Sequence, residues 1–146
     1  MKSFRFRLQR VLSWRGTQLS LAEAKMEQLH AGVRATDQAI AEFQQGRMAE
    51  QAATERNLTI SGTDVGAMEM SRAWAAREQK RLAARKSELM QSIEVQNSYV
   101  AEARRGVKLV ERLKVQNFES WKVEADRELE QLAAESAIAQ WRRLTQ

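Results

Sequence analysis

From Leu8 onward, apolar residues recur in alternating steps of four and three: Leu8, Leu12, Arg15, Leu19, Ala22, Met26, Leu29, Val33, Thr36, Ile40, Phe43 and Arg47. Nine of these twelve are apolar. Such a heptad spacing keeps one narrow stripe on one side of an α-helix and leaves the other faces wet. The pattern stops in Asn57-Leu58-Thr59-Ile60-Ser61-Gly62-Thr63-Asp64-Val65-Gly66, where Gly, Ser, Thr, Asn and Asp cluster, and this reads as a turn over about residues 58–64. Ser61, Thr63 or Asp64 can each cap a following helix by accepting a bond from a free backbone N–H, and the three remain open. A second seam follows: Leu82, Lys86, Leu89, Ile93, Gln96, Val100, Ala103, Val107, Val110, Lys114, Phe118, Trp121, Ala125, Leu129, Leu132, Ser136 and Ala139. Two consecutive steps of four, Val110–Lys114–Phe118, mark a stutter where the supercoil locally unwinds. Gly106 is tolerated inside this helix at a cost of ~1 kcal/mol relative to alanine.

The expected fold is therefore all-α, a long two-helix antiparallel coiled-coil hairpin forming one domain over residues 1–146. Helix 1 is expected over about 5–57 and helix 2 over about 65–143, the second extending roughly 120 Å at its full length. The hairpin is lopsided. With the turn near 61–63, residue i of the first helix faces a residue numbered about 124 − i on the second, because both helices rise equally. Phe4 and Phe6 then fall near Phe118 and Trp121. Residues from about 122 to 143 have no first-helix partner, yet they keep the seam residues Ala125, Leu129, Leu132 and Ala139, with Trp141 nearby. An apolar stripe without an internal partner implies an external one or self-association; the plainer alternative is a frayed end.

Composition narrows the function classes. The chain has no proline and no cysteine, 29% charged residues and a single histidine, His30. Disulfides and thiolate metal sites are thereby excluded, and His30 beside Leu29 reads as a surface residue. Carboxylates such as Glu78 sit three or four residues from basic partners, Arg81 and Arg85, as ordinary surface pairs. Gly62-Thr-Asp-Val-Gly66 lacks the lysine of a phosphate-binding loop. Two helices alone leave no pocket in which a catalytic constellation can converge. The chain is thus expected not to be an enzyme and to need no cofactor or metal. No apolar run approaches a membrane span, and Gln9, Arg10, Ser13 and Arg15 interrupt any signal-peptide core after the basic start, so a cytoplasmic protein is expected.

Charge and aromatics single out two regions. Residues 1–25 hold six basic residues and one acidic residue, whereas the remainder carries eighteen of each, so the whole net charge of +5 lies near the amino terminus. An acidic protein surface, nucleic acid or anionic lipid would all be attracted by it. Within it, Phe4-Arg5-Phe6-Arg7-Leu8 interleaves aromatic and basic residues, with Arg10 following. The favoured reading is an aromatic clasp closing the open end against Trp121, its arginines solvated; contact with nucleic acid or a membrane surface is the alternative. Beside the turn, Met68, Met70 and Trp74 form an adaptable apolar patch suited to a contact, unless they are covered by Phe43 and Met48.

The opening Phe4-Arg-Phe-Arg-Leu8-Gln-Arg-Val-Leu12 resembles the start of the flagellar FliJ family, as do Lys108-Leu-Val-Glu-Arg-Leu113 and the glutamate- and aromatic-rich helix after it. Length and turn position are also similar. Near the end the chain departs from the family's polar signature: only Arg127-Glu128 and Leu132 fit it, with Leu129, Glu130, Ala133 and Ala134 in its place. The resemblance implies a soluble stalk-like component of the flagellar type III protein export apparatus, similar to the rotary γ stalk of F-type ATPases. It implies that the open end enters the hexameric export ATPase ring, with Phe4, Arg5, Phe6, Arg7, Arg10, Trp121, Leu129 and Leu132 facing the ATPase. It implies contact with the cytoplasmic domain of the membrane export gate, for which Met68, Met70 and Trp74 are the candidates, and escort of export chaperones. Location at the flagellar base, peripheral to the inner membrane, would follow, with the membrane touched only indirectly and no nucleic acid bound. Two other classes stay open: a homo-oligomeric coiled-coil scaffold and a basic nucleic-acid-binding protein. The stalk proteins of virulence type III secretion are a near variant of the first reading.

Overall fold

The structure, a computed structural model, describes residues 3–56, 59 and 61–145. Two helices account for nearly all of them: α1, Gln9–Arg56, and α2, Gly62–Leu144. No strand occurs among the described residues, and the fold is an all-α hairpin. Asn57, Leu58 and Ile60, within the expected turn, lie outside the described residues, as does Lys2 of the basic start. The chain divides into two compact units, one of Met1–Ser20 with Ala101–Gln146, the other of Leu21–Val100.

In the unit Leu21–Val100, one row from each helix meets the other. The α1 residues withdrawn from solvent include Ala22, Met26, Leu29, Val33, Thr36, Ile40 and Phe43; on α2 they include Ala75, Leu82, Leu89, Ile93, Gln96 and Val100. These are the seam positions the spacing predicts. Polar residues in the row are each accommodated. Thr36 is buried and its hydroxyl donates to the Gly32 carbonyl at 2.8 Å, one turn back. Gln96 is buried and its amide donates across the pair to the Ala22 carbonyl at 2.9 Å. Lys86 reaches Asp37 on the opposite helix at 2.6 Å. A burial that leaves a polar group unpaired costs ~1–3 kcal/mol, so the Gln96–Ala22 contact, buried and crossing between the helices, disfavours a slip of one helix along the other. Gly32 faces Leu89, whose methyls lie 3.3 and 3.4 Å from where a Cβ would stand, so the helices approach closely there.

In the other unit, Leu12, Arg15 and Leu19 line α1, and Ala103, Val107, Val110, Lys114, Trp121 and Ala125 line α2. The stutter brings Lys114 into the row, where its ammonium donates to the Gln9 side chain at 3.0 Å. Gly106 is the one glycine whose lack of a side chain serves a long neighbour: a Cβ there would collide with the Arg15 guanidinium. That guanidinium lies across the α2 backbone, its Nε shielded from solvent and without a hydrogen-bond partner. Residue numbers in contact sum to 121 for Arg15 with Gly106 and 123 for Gln9 with Lys114, close to the expected 124.

The start of the chain departs from expectation. Helix α1 begins at Gln9, not near residue 5. Residues 3–6 are not helical, and the Gln9 N–H closes a short turn on the Phe6 carbonyl at 3.2 Å. The alternation Phe4-Arg5-Phe6-Arg7 explains this. Residues two apart lie on nearly opposite sides of a helix but on the same side of an extended chain. A non-helical start lets Phe4 and Phe6 withdraw together while Arg5 and Arg7 stay in water, as observed.

Helix α2 begins at Gly62, three residues earlier than expected, because the open choice of cap is settled by Ser61. Its hydroxyl lies 3.3 Å from the Asp64 N–H, while Asp64 accepts from the Ser61 N–H at 2.9 Å and from the Ser61 hydroxyl at 2.6 Å. This reciprocal pairing is a capping box, with aspartate in the place usually held by glutamate. The hydroxyl bond, then the backbone bond, hold the Asp64 carboxyl below its ordinary pKa.

Two expectations follow. Cysteines at Leu12 and Leu113, whose numbers sum to 125, should be joined within one chain by a short bismaleimide; exclusively intermolecular products would disprove the hairpin. The second concerns the cap. A carboxyl whose folded pKa is depressed contributes stability above its unfolded pKa, about 4, and loses it as the pH falls through the folded value. Ser61→Ala should cost about 1 kcal/mol in urea unfolding at neutral pH. The gap between parent and variant should narrow as the pH falls below about 4 and the Asp64 carboxylate protonates.

Candidate functional site

The first candidate lies in the unit that holds both chain ends. The non-helical arm places the Phe4 ring against α2, edge-on to Phe118 with centroids 5.2 Å apart and tilted on Trp121 at 5.8 Å. Phe118 and Trp121 stack at 5.7 Å. Edge-to-face and offset contacts suit the aromatic quadrupole and are worth ~0.5–1.5 kcal/mol beyond the area they bury. Phe6 is buried beside them. The clasp expected from the sequence is therefore present, and Arg5, Arg7 and Arg10 all lie exposed around it. Phe118 stays substantially exposed, so the cluster is both a closure and an accessible apolar surface.

Ala125 is the last buried residue of α2; every described residue after it is exposed. Leu129 and Leu132 stand 48% and 60% exposed on a helix that continues to Leu144. The expected partnerless stripe is thus present, and as helix, not as frayed chain. Trp141 does not extend it. At about 100° per residue it projects about 120° from Leu129 and opposite Leu132.

The second candidate, beside the turn, belongs to the unit Leu21–Val100. Met68 is half-buried, whereas Met70 and Trp74 are 75% and 56% exposed. The Trp74 ring leans on Phe43, centroids 5.9 Å apart, so one of its two expected covers is real; Met48, the other, is itself exposed. Two open grooves between the helices nearby are lined by Arg47, Glu50, Glu55, Met68 and Arg72 and by Phe43, Arg47, Met48 and Arg72, a mixed charge. Met70 and Trp74, four residues apart, share an exposed face of α2, whereas Met68 lies on nearly the opposite side of the helix, so the structure does not bring all three into one surface.

Elsewhere the surface carries ordinary ion pairs. The Glu27 carboxyl is held below its usual pKa by a hydrogen bond from Arg34, 2.7 Å away, and by its charge. Glu78 is lowered by the hydrogen bond from Arg81. No cluster of His, Cys, Asp or Glu able to hold a metal occurs among the described residues, and His30 is an exposed helix residue. Among them, no helix is long and apolar enough to cross a membrane.

Several large apolar residues off the seam are exposed, and Trp14 is the largest of them not anticipated from the spacing. Trp14 lies on the outer face of α1, with Val11 one turn before it. The signal was a three-residue apolar step on the side away from the seam, invisible to a search that follows the seam alone.

The chain matches no protein-family model, no curated protein and no solved structure.

The clasp makes a quantitative expectation. In a double-mutant cycle, Phe4→Ala and Trp121→Ala should each destabilise the unit, and their coupling should be about 0.5–1.5 kcal/mol. Additive effects would mean that the two rings merely neighbour each other.

Proposed function

We propose that this chain is a stalk-like, protein-binding component of a flagellar type III export apparatus, working in the cytoplasm at the base of the flagellum. In this reading the unit with both chain ends docks on the hexameric export ATPase. The exposed face of Met70 and Trp74 meets the cytoplasmic domain of the export gate, and the chain escorts export chaperones. The observation that carries the reading is the combination in one unit of an exposed arginine arm with a helix that runs on, apolar and uncovered, past its partner. That combination suits insertion into a protein ring: the charges steer approach and the stripe is buried on arrival. The uneven charge supports it further. The unit with the chain ends has fourteen basic and eight acidic residues, against ten and eleven in the other unit. Nucleic-acid binding is less well supported, since the arm offers three exposed arginines and no long basic stripe continues from it.

The test separates steering from burial. Replacing Arg5, Arg7 and Arg10 by glutamate should slow association with the cognate ATPase at low salt. The difference should shrink near 0.5 M salt, where screening acts over only about 4 Å. Leu129→Asp with Leu132→Asp should instead raise the dissociation rate at any salt. Trp74→Asp should leave helicity and ATPase stimulation intact and impair export. Unchanged ATPase stimulation in both the arginine and leucine variants would refute the reading. Nucleic-acid binding abolished by the arginine variant, with no ATPase binding, would replace it.

A further inference from the structure

The uncovered face of α2 has a chemistry of its own, opposite in sign to the arm. Leu129, Leu132, Ser136 and Ala139 continue, in steps of three and four, the row that ends its buried course at Ala125. At about 100° per residue, Glu124, Glu128 and Glu135 fall within about 40° of one another along one flank of that row. All three are exposed, and none forms an ion pair or hydrogen bond among the described residues. Residues 122–135 hold five acidic and two basic residues, in a chain whose net charge is +5. In coiled coils, positions flanking the apolar row choose the partner by charge.

We propose that this face takes a helix from another protein, one with a heptad apolar row flanked by lysine or arginine. The inference rests on the export reading only for the idea that the face is a docking face; the partner's chemistry comes from the row and its acidic flank. A second copy of the chain fits less well. Parallel in-register pairing sets Glu128 against Ala133 and Glu135 against Gln140, with no opposite charge gained. The antiparallel register that sets Leu129 against Leu132 brings the acidic flanks together, with Glu128 beside Glu135, so like charges oppose it.

Two synthetic four-heptad helices with the same leucine row test this, one flanked by lysines and one by glutamates, each titrated against the full chain by fluorescence anisotropy. The lysine-flanked helix should bind about 10-fold tighter at low salt, with the gap closing as salt rises. The chain's overall positive charge favours the opposite order, so the preference reports the local flank. Glu124→Lys, Glu128→Lys and Glu135→Lys together should reverse the preference, and Leu129→Asp with Leu132→Asp should abolish binding of both helices. Because these positions are exposed, circular dichroism should show unchanged helicity in each variant. Equal binding of the two helices, binding of neither, or a preference untouched by the charge reversal would overturn the proposal. Sedimentation showing a dimer lost with the leucine variant would overturn it in favour of a second copy. No ATPase enters the assay, so its outcome and that of the ATPase test are independent.

Discussion

Two helices can hide only one row of side chains each, and the rest of this molecule follows from that limit. No side chain among the described residues is less than 2% exposed, and the best-buried ones, Val110, Val100 and Ala75, all sit on the α2 seam. A core this thin stabilises by length, not depth: many half-buried contacts repeated along the helices. It also leaves large apolar side chains outside it wherever they fall off the row, as with Trp14, Met70 and Trp141. Stability and interaction surface are therefore drawn from the same few residue types, separated only by their angle on the helix.

A thin apolar row tolerates sliding, so polar residues within it carry the alignment. Gln96 bonded to the Ala22 carbonyl and Lys86 paired with Asp37 serve this purpose in one unit; Lys114 bonded to Gln9 and Arg15 laid over Gly106 serve it in the other. A one-heptad slip would leave the buried Gln96 amide without a partner and set a side chain under the Arg15 guanidinium, and both are costly. Alignment then decides where α1 runs out along α2. With the arm ending against Phe118 and Trp121, burial stops at Ala125 and the rest of α2 is left uncovered.

The same unit thus presents two surfaces of different kind. The arm is basic and short, with arginines held outward because both phenylalanines turn inward. The uncovered helix is apolar along one row and acidic on its flank. A partner that satisfies both must be mixed in charge, as protein surfaces are and nucleic acid is not. This is the physical reason for preferring a protein partner despite the high isoelectric point.

Much of this was legible in one dimension. The heptad steps identified the buried positions of both helices almost residue by residue, because a two-helix seam has no third element to override local periodicity. The aromatic clasp and the uncovered stripe followed from counting residues on either side of the turn, since equal rise makes alignment arithmetic. Three things were not legible. A non-helical start over Phe4–Phe6 won over helix because a helix cannot withdraw two aromatics spaced two apart. The choice of Ser61 over Thr63 and Asp64 depended on which hydroxyl meets a free N–H in space. The half-covered state of Trp74 depended on Phe43, some thirty residues away in sequence. Periodicity by itself determined what is buried along each helix, because that is a property of a single helix surface. Only the tertiary structure decided which residues cap, clasp and lean, because those outcomes turn on distances between segments that no local spacing contains.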